Sequence, residues 1–199
     1  MTSRTHSLGR AATVEDVPAV AECLASAFYD DPLWGRWSFP DVENRTRDLL
    51  QFMTLMAERA LSVWTDMTVA TESITVWTPP GASYGSAKEK RIANAFNDLF
   101  GARASAIHAL FDQLEVHTPQ GHFYHLEWWA THRDHAGRGL GTALLRENLA
   151  RVDAEHLPSY LESTNPANLH RYEALGFRPV DGFAPPGGPT VTTMWRDAG

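Results

Sequence analysis

The stretch Ala130-Thr131-His132-Arg133-Asp134-His135-Ala136-Gly137-Arg138-Gly139-Leu140-Gly141-Thr142-Ala143-Leu144-Leu145 decides how the chain is read. An apolar, aromatic-rich segment from His122 to Thr131 precedes it. Behind it Leu140, Leu144, Leu145, Leu149 and Val152 recur at helical spacing. The pattern predicts a strand, a glycine-rich turn and a helix. Gly137, Gly139 and Gly141 lack the β-carbons that would hold a ligand away from backbone N–H groups. The first turn of the helix leaves N–H donors unpaired, and the helix dipole adds partial positive charge. Such a turn suits a phosphate, and Arg138 can add a full charge. The alternative is a turn that only lets the helix pack on a sheet.

The spacing separates the phosphate ligands. A dinucleotide fingerprint needs G-x-G-x-x-G, and a P-loop needs Lys then Ser or Thr after its last glycine; here the spacing is G-x-G-x-G and Thr142-Ala143 follows. Ala136, Gly139 and Gly141 instead resemble the acyl-CoA pyrophosphate loop of the GNAT N-acetyltransferase superfamily, Gln/Arg-x-x-Gly-x-Gly/Ala, with Ala136 where Gln or Arg is usual. A second stretch, Tyr160 to Phe177, resembles the family's C-terminal signature: a strand, Asn165, Tyr172 seven residues on, then Gly176-Phe177. The opening helix, the Val76-Trp77-Thr78-Pro79 strand end and the tail from Gly188 to Arg196 resemble the puromycin N-acetyltransferase group within that superfamily. Glu127, Trp128 and Trp129 stand where that group carries small residues, which argues against puromycin itself as substrate.

Composition agrees with a soluble globular chain. Its 199 residues suit one domain spanning 1–199, with 43% hydrophobic and 21% charged residues. A net charge of −7 without a basic tract disfavours nucleic acid. The sequence has no apolar signal core in Met1 to Arg10 and no run long enough to span a membrane, so the expected location is the cytoplasm. Cys23 is the lone cysteine, in an apolar helical pattern, and reads as a buried small residue. No His, Cys or Asp cluster has zinc spacing, so no metal is expected, and His132 and His135 read as loop residues.

In chain order, Arg10-Ala12 reads as a strand and Val14 to Phe28 as a helix with a capping-box-like start at Thr13. Tyr29 to Pro40 breaks periodicity and holds Tyr29, Trp34, Trp37 and Phe39, either a satellite cluster under a loop or a wall of an acceptor pocket. Asp41 to Leu61 is helical; Val63–Thr65, Thr68–Ala70 and Ser73–Thr78 read as strands. Two helices, Ser86 to Phe100 and Ala102 to Val116, meet near Gly101. After the central strand, loop and helix come a strand at Ser159–Ser163 and a helix from Pro166 to Leu175. Closing strands follow at Phe177–Val180 and Thr190–Arg196. The expected fold class is α/β of the α+β type, a mixed central sheet with helices on both faces.

The resemblance implies direct acetyl transfer from acetyl-CoA to an amine, with no acyl-enzyme. The pantetheine arm then pairs with Trp129, Ala130 and Thr131, and the pyrophosphate rests on Ala136, Gly137, Arg138, Gly139, Leu140, Gly141 and Thr142. Asn165 and Asn168 fix the loop or contact the CoA arm. Tyr172 matches the general acid for the departing thiolate. An alkylamine of pKa ~10.4 is mostly ammonium at pH 7, and freeing the nucleophile costs roughly 4–5 kcal/mol, so a base or water relay is expected. Regular alternation puts His125, Glu127 and Trp129 on one strand face unless a bulge intervenes. Glu127 is the first choice for the base and His125 the second. Glu162 is the third choice, or else a site for the acceptor's ammonium. Tyr29, Trp34, Trp37 and Trp128 favour a ring-bearing or apolar small-molecule amine, an antibiotic or a metabolite. A protein or peptide acceptor, or an acyl-CoA-binding module without turnover, are the alternatives, and the aromatic surface is compatible with a homodimer.

Overall fold

A computed structural model describes residues 8–68, 70–82 and 86–199, and the side chains of all of these except 86–88. The expected leaderless start at Met1 to Arg10 lies largely outside the described residues. Seven strands form one sheet: β1 (Gly9–Ala11), β2 (Trp64–Thr68), β3 (Ser73–Thr78), β4 (Tyr124–Thr131), β5 (Ser159–Ser163), β6 (Arg178–Phe183) and β7 (Val191–Arg196), in the order β1-β2-β3-β4-β5-β7-β6. Every neighbouring pair is antiparallel except β4 and β5, which run parallel. The helices are α1 (Val17–Phe28), α2 (Arg45–Ala60), α3 (Ser86–Phe100), α4 (Ala104–His117), α5 (Leu140–Asp153) and α6 (Leu169–Glu173).

Two apolar clusters sandwich the sheet. One joins Leu24 of α1, Phe52 of α2 and Ile107 of α4 to Ile74, Val76, Trp128 and Ala130 of the sheet. The other joins Leu145, Leu149 and Val152 of α5 to Trp77, Leu126, Leu161 and Met194. Three-layer burial of this kind is what the helical stripes and the near-continuous apolar strands call for.

Three expectations change. The strands read at Val63–Thr65 and Thr68–Ala70 are one strand, β2, because the polar Asp66 between them is buried and accepts from Asn148 at 2.8 Å and Arg151 at 2.6 Å; Val69 lies outside the described residues. The helix expected from Asp41 starts at Arg45. The aperiodic segment after Tyr29 contains a π-helical turn, Pro32–Trp37, whose first N–H groups are capped by the Asp31 carboxylate (2.9 Å from Leu33 N, 2.8 Å from Trp34 N). Gly35 lets this turn pack back on the end of α1: a β-carbon there would collide with the carbonyl oxygens of Phe28 and Tyr29.

The site is positioned by two irregularities in β4. Trp128 pairs with Val76 and Leu126 with Trp77, so Glu127 is an extra residue, a bulge. On its other edge β4 pairs with β5 only from Tyr124–Ser159 to Leu126–Leu161. Beyond that the two parallel strands part, and their C-terminal ends flank an opening.

Candidate active site

The opening between β4 and β5 joins two larger cavities. On one side a groove of about 630 Å³ is lined by Trp129, Ala130 and Thr131 of β4, the glycine loop, Asn165, Asn168 and Tyr172. On the other a cavity of about 610 Å³ is lined by Trp34, Phe111, His125, Glu127, Trp128 and Glu162, among others. A narrow throat of about 50 Å³ lies between them, and its walls include Glu127, Trp128, Trp129, Glu162, Thr164 and Tyr172.

The glycine loop is built as its sequence requires, though its three glycines do different work. Gly137 and Gly139 both sit at φ 78°, and a β-carbon at either would meet open space. They are glycine because left-handed backbone is costly for any other residue. Gly139 caps the N-terminus of α5, which faces the groove with Leu140, Gly141 and Thr142. Gly141 has no such conformation. A β-carbon there would lie 2.5 Å from Thr131 Oγ1 and 2.9 Å from Trp129 Nε1, so its role is to seat α5 against β4. The Trp129 indole N–H donates to the Gly141 carbonyl at 3.0 Å, which fixes strand and helix together. Arg138 does not line the groove; its guanidinium turns back to the Asp134 carbonyl at 3.1 Å. Ala136 puts no side-chain donor at its own position, while Arg171 and Asn168 line the same groove.

Tyr172 packs edge-on against Trp129 with ring centroids 5.3 Å apart. Burial pushes its phenol pKa up, against the opposing effect of Arg171 and with a smaller push from Asp31, so it keeps its proton at neutral pH. The Asn165 side chain accepts from Ala167 N at 3.0 Å and fixes the turn into α6. Asn168 accepts from Arg171 at 3.3 Å.

The bulge redistributes β4. Trp129 lies with the α5 cluster, whereas His125, Glu127 and Trp128 share the cavity on the other side of the throat. The expectation that Trp129 shares a face with Glu127 is therefore corrected: the extra residue resets the alternation. Both Glu127 oxygens are engaged, by Arg59 at 2.6 Å and by the Thr78 hydroxyl. His125 Nε2 lies 2.6 Å from Glu162 Oε2. Burial alone would lower the His125 pKa, but the adjacent Glu162 carboxylate, with Glu127 behind it, outweighs burial and the net direction is up. The other oxygen, Glu162 Oε1, is buried with no partner, in a side chain only 9% exposed.

Among the expected aromatic residues, Trp34 and Trp128 line the second of the two larger cavities with ring centroids 5.3 Å apart. Tyr29 and Trp37 do not, a second correction. The π-helical turn carries Trp34 inward and leaves Trp37 beneath Arg103, 5.0 Å from its ring, while Tyr29 sits between Arg45 and Arg133 in a separate groove. Sequence reading missed Asp31, whose second oxygen accepts from Thr164 Oγ1 at 2.8 Å, and Arg59 and Arg171. For Asp31 a signal existed: an Asp directly before Pro is a helix-start pattern.

Residues 99–177 match the model of the acetyltransferase (GNAT) family. The same architecture occurs in a Corynebacterium glutamicum protein described as histone acetyltransferase HPA2 and related acetyltransferase (24% identity, 96% of both chains, TM-score 0.71). It occurs also in arylalkylamine N-acetyltransferase 2 from Aedes aegypti (10% identity, 96% and 98% of the chains, TM-score 0.59). A third example is a GNAT family acetyltransferase from Brucella melitensis in complex with acetyl-CoA (15% identity, 96% and 87%, TM-score 0.50). The chain has the GNAT fold, and the family match within it points to an acyltransferase. Acetyl-CoA is the acyl donor of that family, and beside the glycine loop the chain has a groove with an open helix N-terminus behind a left-handed glycine, next to a strand whose edge is released from its parallel neighbour. Cys23 is buried, and burial pushes its thiol up to about 12, away from nucleophilic use.

Proposed function

We propose that the acyltransferase moves an acetyl group directly from acetyl-CoA to the amine of a small molecule bound in the cavity behind Trp128. The observation that carries this reading is the His125–Glu162 pair, 2.6 Å apart, on the wall of a cavity that meets the groove at the throat. A carboxylate there attracts an ammonium, and the imidazole paired with it can take the proton.

The acetyl-CoA thioester supplies an activated carbonyl next to the throat. The Glu162 carboxylate receives the ammonium and takes its proton, passing it to neutral His125. The freed amine nitrogen then forms the new C–N bond as the C–S bond breaks; the Tyr172 hydroxyl gives its proton to the departing sulfur, and the surplus proton on the nitrogen returns to the Tyr172 oxygen. Glu127 keeps its two hydrogen bonds and holds the bulge, a positioning role; taking a proton would break one of them. Aminonucleosides and arylalkylamines suit the aromatic wall, as does any antibiotic or metabolite with a primary amine beside an apolar body. The cavity has walls from α4, β4 and the π-helical turn, which favours a compact molecule over a protein segment.

The test is thiol release from acetyl-CoA across a panel of amines, including puromycin and other aminonucleosides, with the Tyr172→Phe variant alongside. Amine-dependent release that falls at least ~10-fold in the variant, with acetyl-CoA affinity unchanged, is the expected result. Release that requires a peptide amine moves the acceptor to a protein. Acetyl-CoA binding without release for any amine overturns the reading in favour of a binding module.

A further inference from the structure

A phosphate beside the glycine loop would meet backbone N–H groups there but no arginine or lysine of the loop. Ala136 carries no donor, and Arg138 is turned back to the Asp134 carbonyl at 3.1 Å. The one arginine or lysine that lines the groove among the described residues is Arg171, which comes from α6 instead. Its guanidinium lies over the Trp129 ring, 4.8 Å from the centroid. The edge of the same indole donates to the Gly141 carbonyl at 3.0 Å, in the first turn of α5. Trp129 thus carries the guanidinium on its face and is tied to the phosphate-facing helix at its edge.

The charge of Arg171 is not spent inside the protein. It donates to the neutral Asn168 side chain at 3.3 Å, and no carboxylate pairs with it among the described residues. The two carboxylates that line the groove are engaged elsewhere. Asp30 faces Arg36 at 3.3 Å, and Asp31 caps the π-helical turn and accepts from Thr164. An exposed arginine on an ordinary helix is a solvated charge; this one is held on a ring inside a groove with most of its donors unused.

Resting on the reading of the groove as the acetyl-CoA site, we propose that Arg171 is the cationic clamp of the donor's pyrophosphate, supplying from α6 the side chain that the glycine loop lacks at Ala136. The pyrophosphate then lies between the open N–H groups at the start of α5 and the guanidinium, so helix dipole and full charge act on it from two walls. A planar fork can stack on the indole and still give a phosphate two hydrogen bonds, which a lysine cannot do.

The test is calorimetric binding of CoA and of 3′-dephospho-CoA, which keeps the pyrophosphate, to the full chain and to its Arg171→Met and Arg171→Lys variants. Methionine leaves an apolar stem on Trp129 and removes the charge. Arg171→Met is expected to weaken both ligands about ten-fold or more, the size of a lost charge-assisted hydrogen bond, and Arg171→Lys to recover part of that loss. Unchanged CoA affinity in Arg171→Met would overturn the proposal. So would a loss for CoA that dephospho-CoA does not share, which puts the guanidinium on the 3′-phosphate, or no recovery with lysine, which assigns the loss to packing on Trp129. Failure of the unaltered chain to bind either ligand removes the acetyl-CoA reading of the groove as well. CoA binding that ignores Arg171 removes this inference alone.

Discussion

The Thr164 hydroxyl donates to the Asp31 carboxylate at 2.8 Å, joining the segment after α1 to the end of β5 across 133 residues of chain. The same carboxylate caps the π-helical turn that presents Trp34, so one buried side chain sets two walls of the throat. Burial pushes its pKa up, opposed by the backbone N–H of Trp34, the Thr164 hydroxyl and the backbone N–H of Leu33. Asp31→Ala removes the cap and strands Thr164. We expect a loss of about 2 kcal/mol of stability in urea unfolding together with a raised acceptor KM. Asp31→Asn, which still accepts, should recover most of the stability. Equal losses in both variants would show that charge rather than capping matters.

The His125–Glu162 contact makes activity depend on pH in a stated direction. The His125 pKa is raised, so at low pH the imidazolium cannot take the acceptor's proton, and kcat/KM should climb as pH rises through a value above the ordinary ~6.5. Because the acceptor binds as its ammonium, its own ionisation adds no slope below its pKa, so the logarithmic profile levels off above the histidine. His125→Asn should remove that levelling, the rate then following the free amine upward with pH. Stability follows the opposite sign. A histidine whose folded pKa is raised contributes stability that is fully present below the unfolded pKa and lost as pH rises through the folded one. Glu162→Gln should therefore lower Tm more at pH 5 than at pH 9.

The glycines of the loop should separate by mechanism. Gly141→Ala places a methyl group against Thr131 and Trp129 and should cost about 1–3 kcal/mol of stability. Gly139→Ala meets no atom but strains a backbone at φ 78°, at about 1 kcal/mol. Its larger effect should be on acetyl-CoA affinity, because it distorts the N-terminus of α5. Thermal melts with and without CoA distinguish them.

The two tryptophans of the π-helical segment should behave differently. Trp34→Phe shrinks the cavity wall and should raise acceptor KM several-fold while sparing acetyl-CoA affinity. Trp37→Ala loses its stacking with Arg103 and its packing against the core cluster, and should lower stability while leaving KM where it was. Steady-state kinetics on both variants decides whether the inward ring is the one that matters.

What could be read ahead of the structure was what depends on near neighbours in the chain. The turn around Gly137 and Gly139 follows from positive φ, and the Asn165 to Tyr172 spacing from one turn into a short helix. Trp129 was misplaced because a bulge is a property of a pair of strands: nothing within Tyr124 to Thr131 marks Glu127 as the extra residue. Which ring of the Tyr29–Pro40 segment points inward was hidden for a similar reason, since it depends on a turn whose cap is locked by Thr164. The empty oxygen of Glu162 arises only when β5 is laid beside His125.

The bulge at Glu127 has a consequence for how this protein can vary. Up to it, His125 faces one cavity while Tyr124 and Leu126 pack with α5; past it, Trp128 faces that cavity and Trp129 packs with α5. One strand thus carries two independent addresses, separated by a single residue. Substitutions at His125 or Trp128 can retune the acceptor without disturbing the donor. Deleting Glu127 would produce a regular strand in which Trp129 keeps its layer, whereas flattening the bulge with Glu127 kept would turn Trp129 to the opposite one.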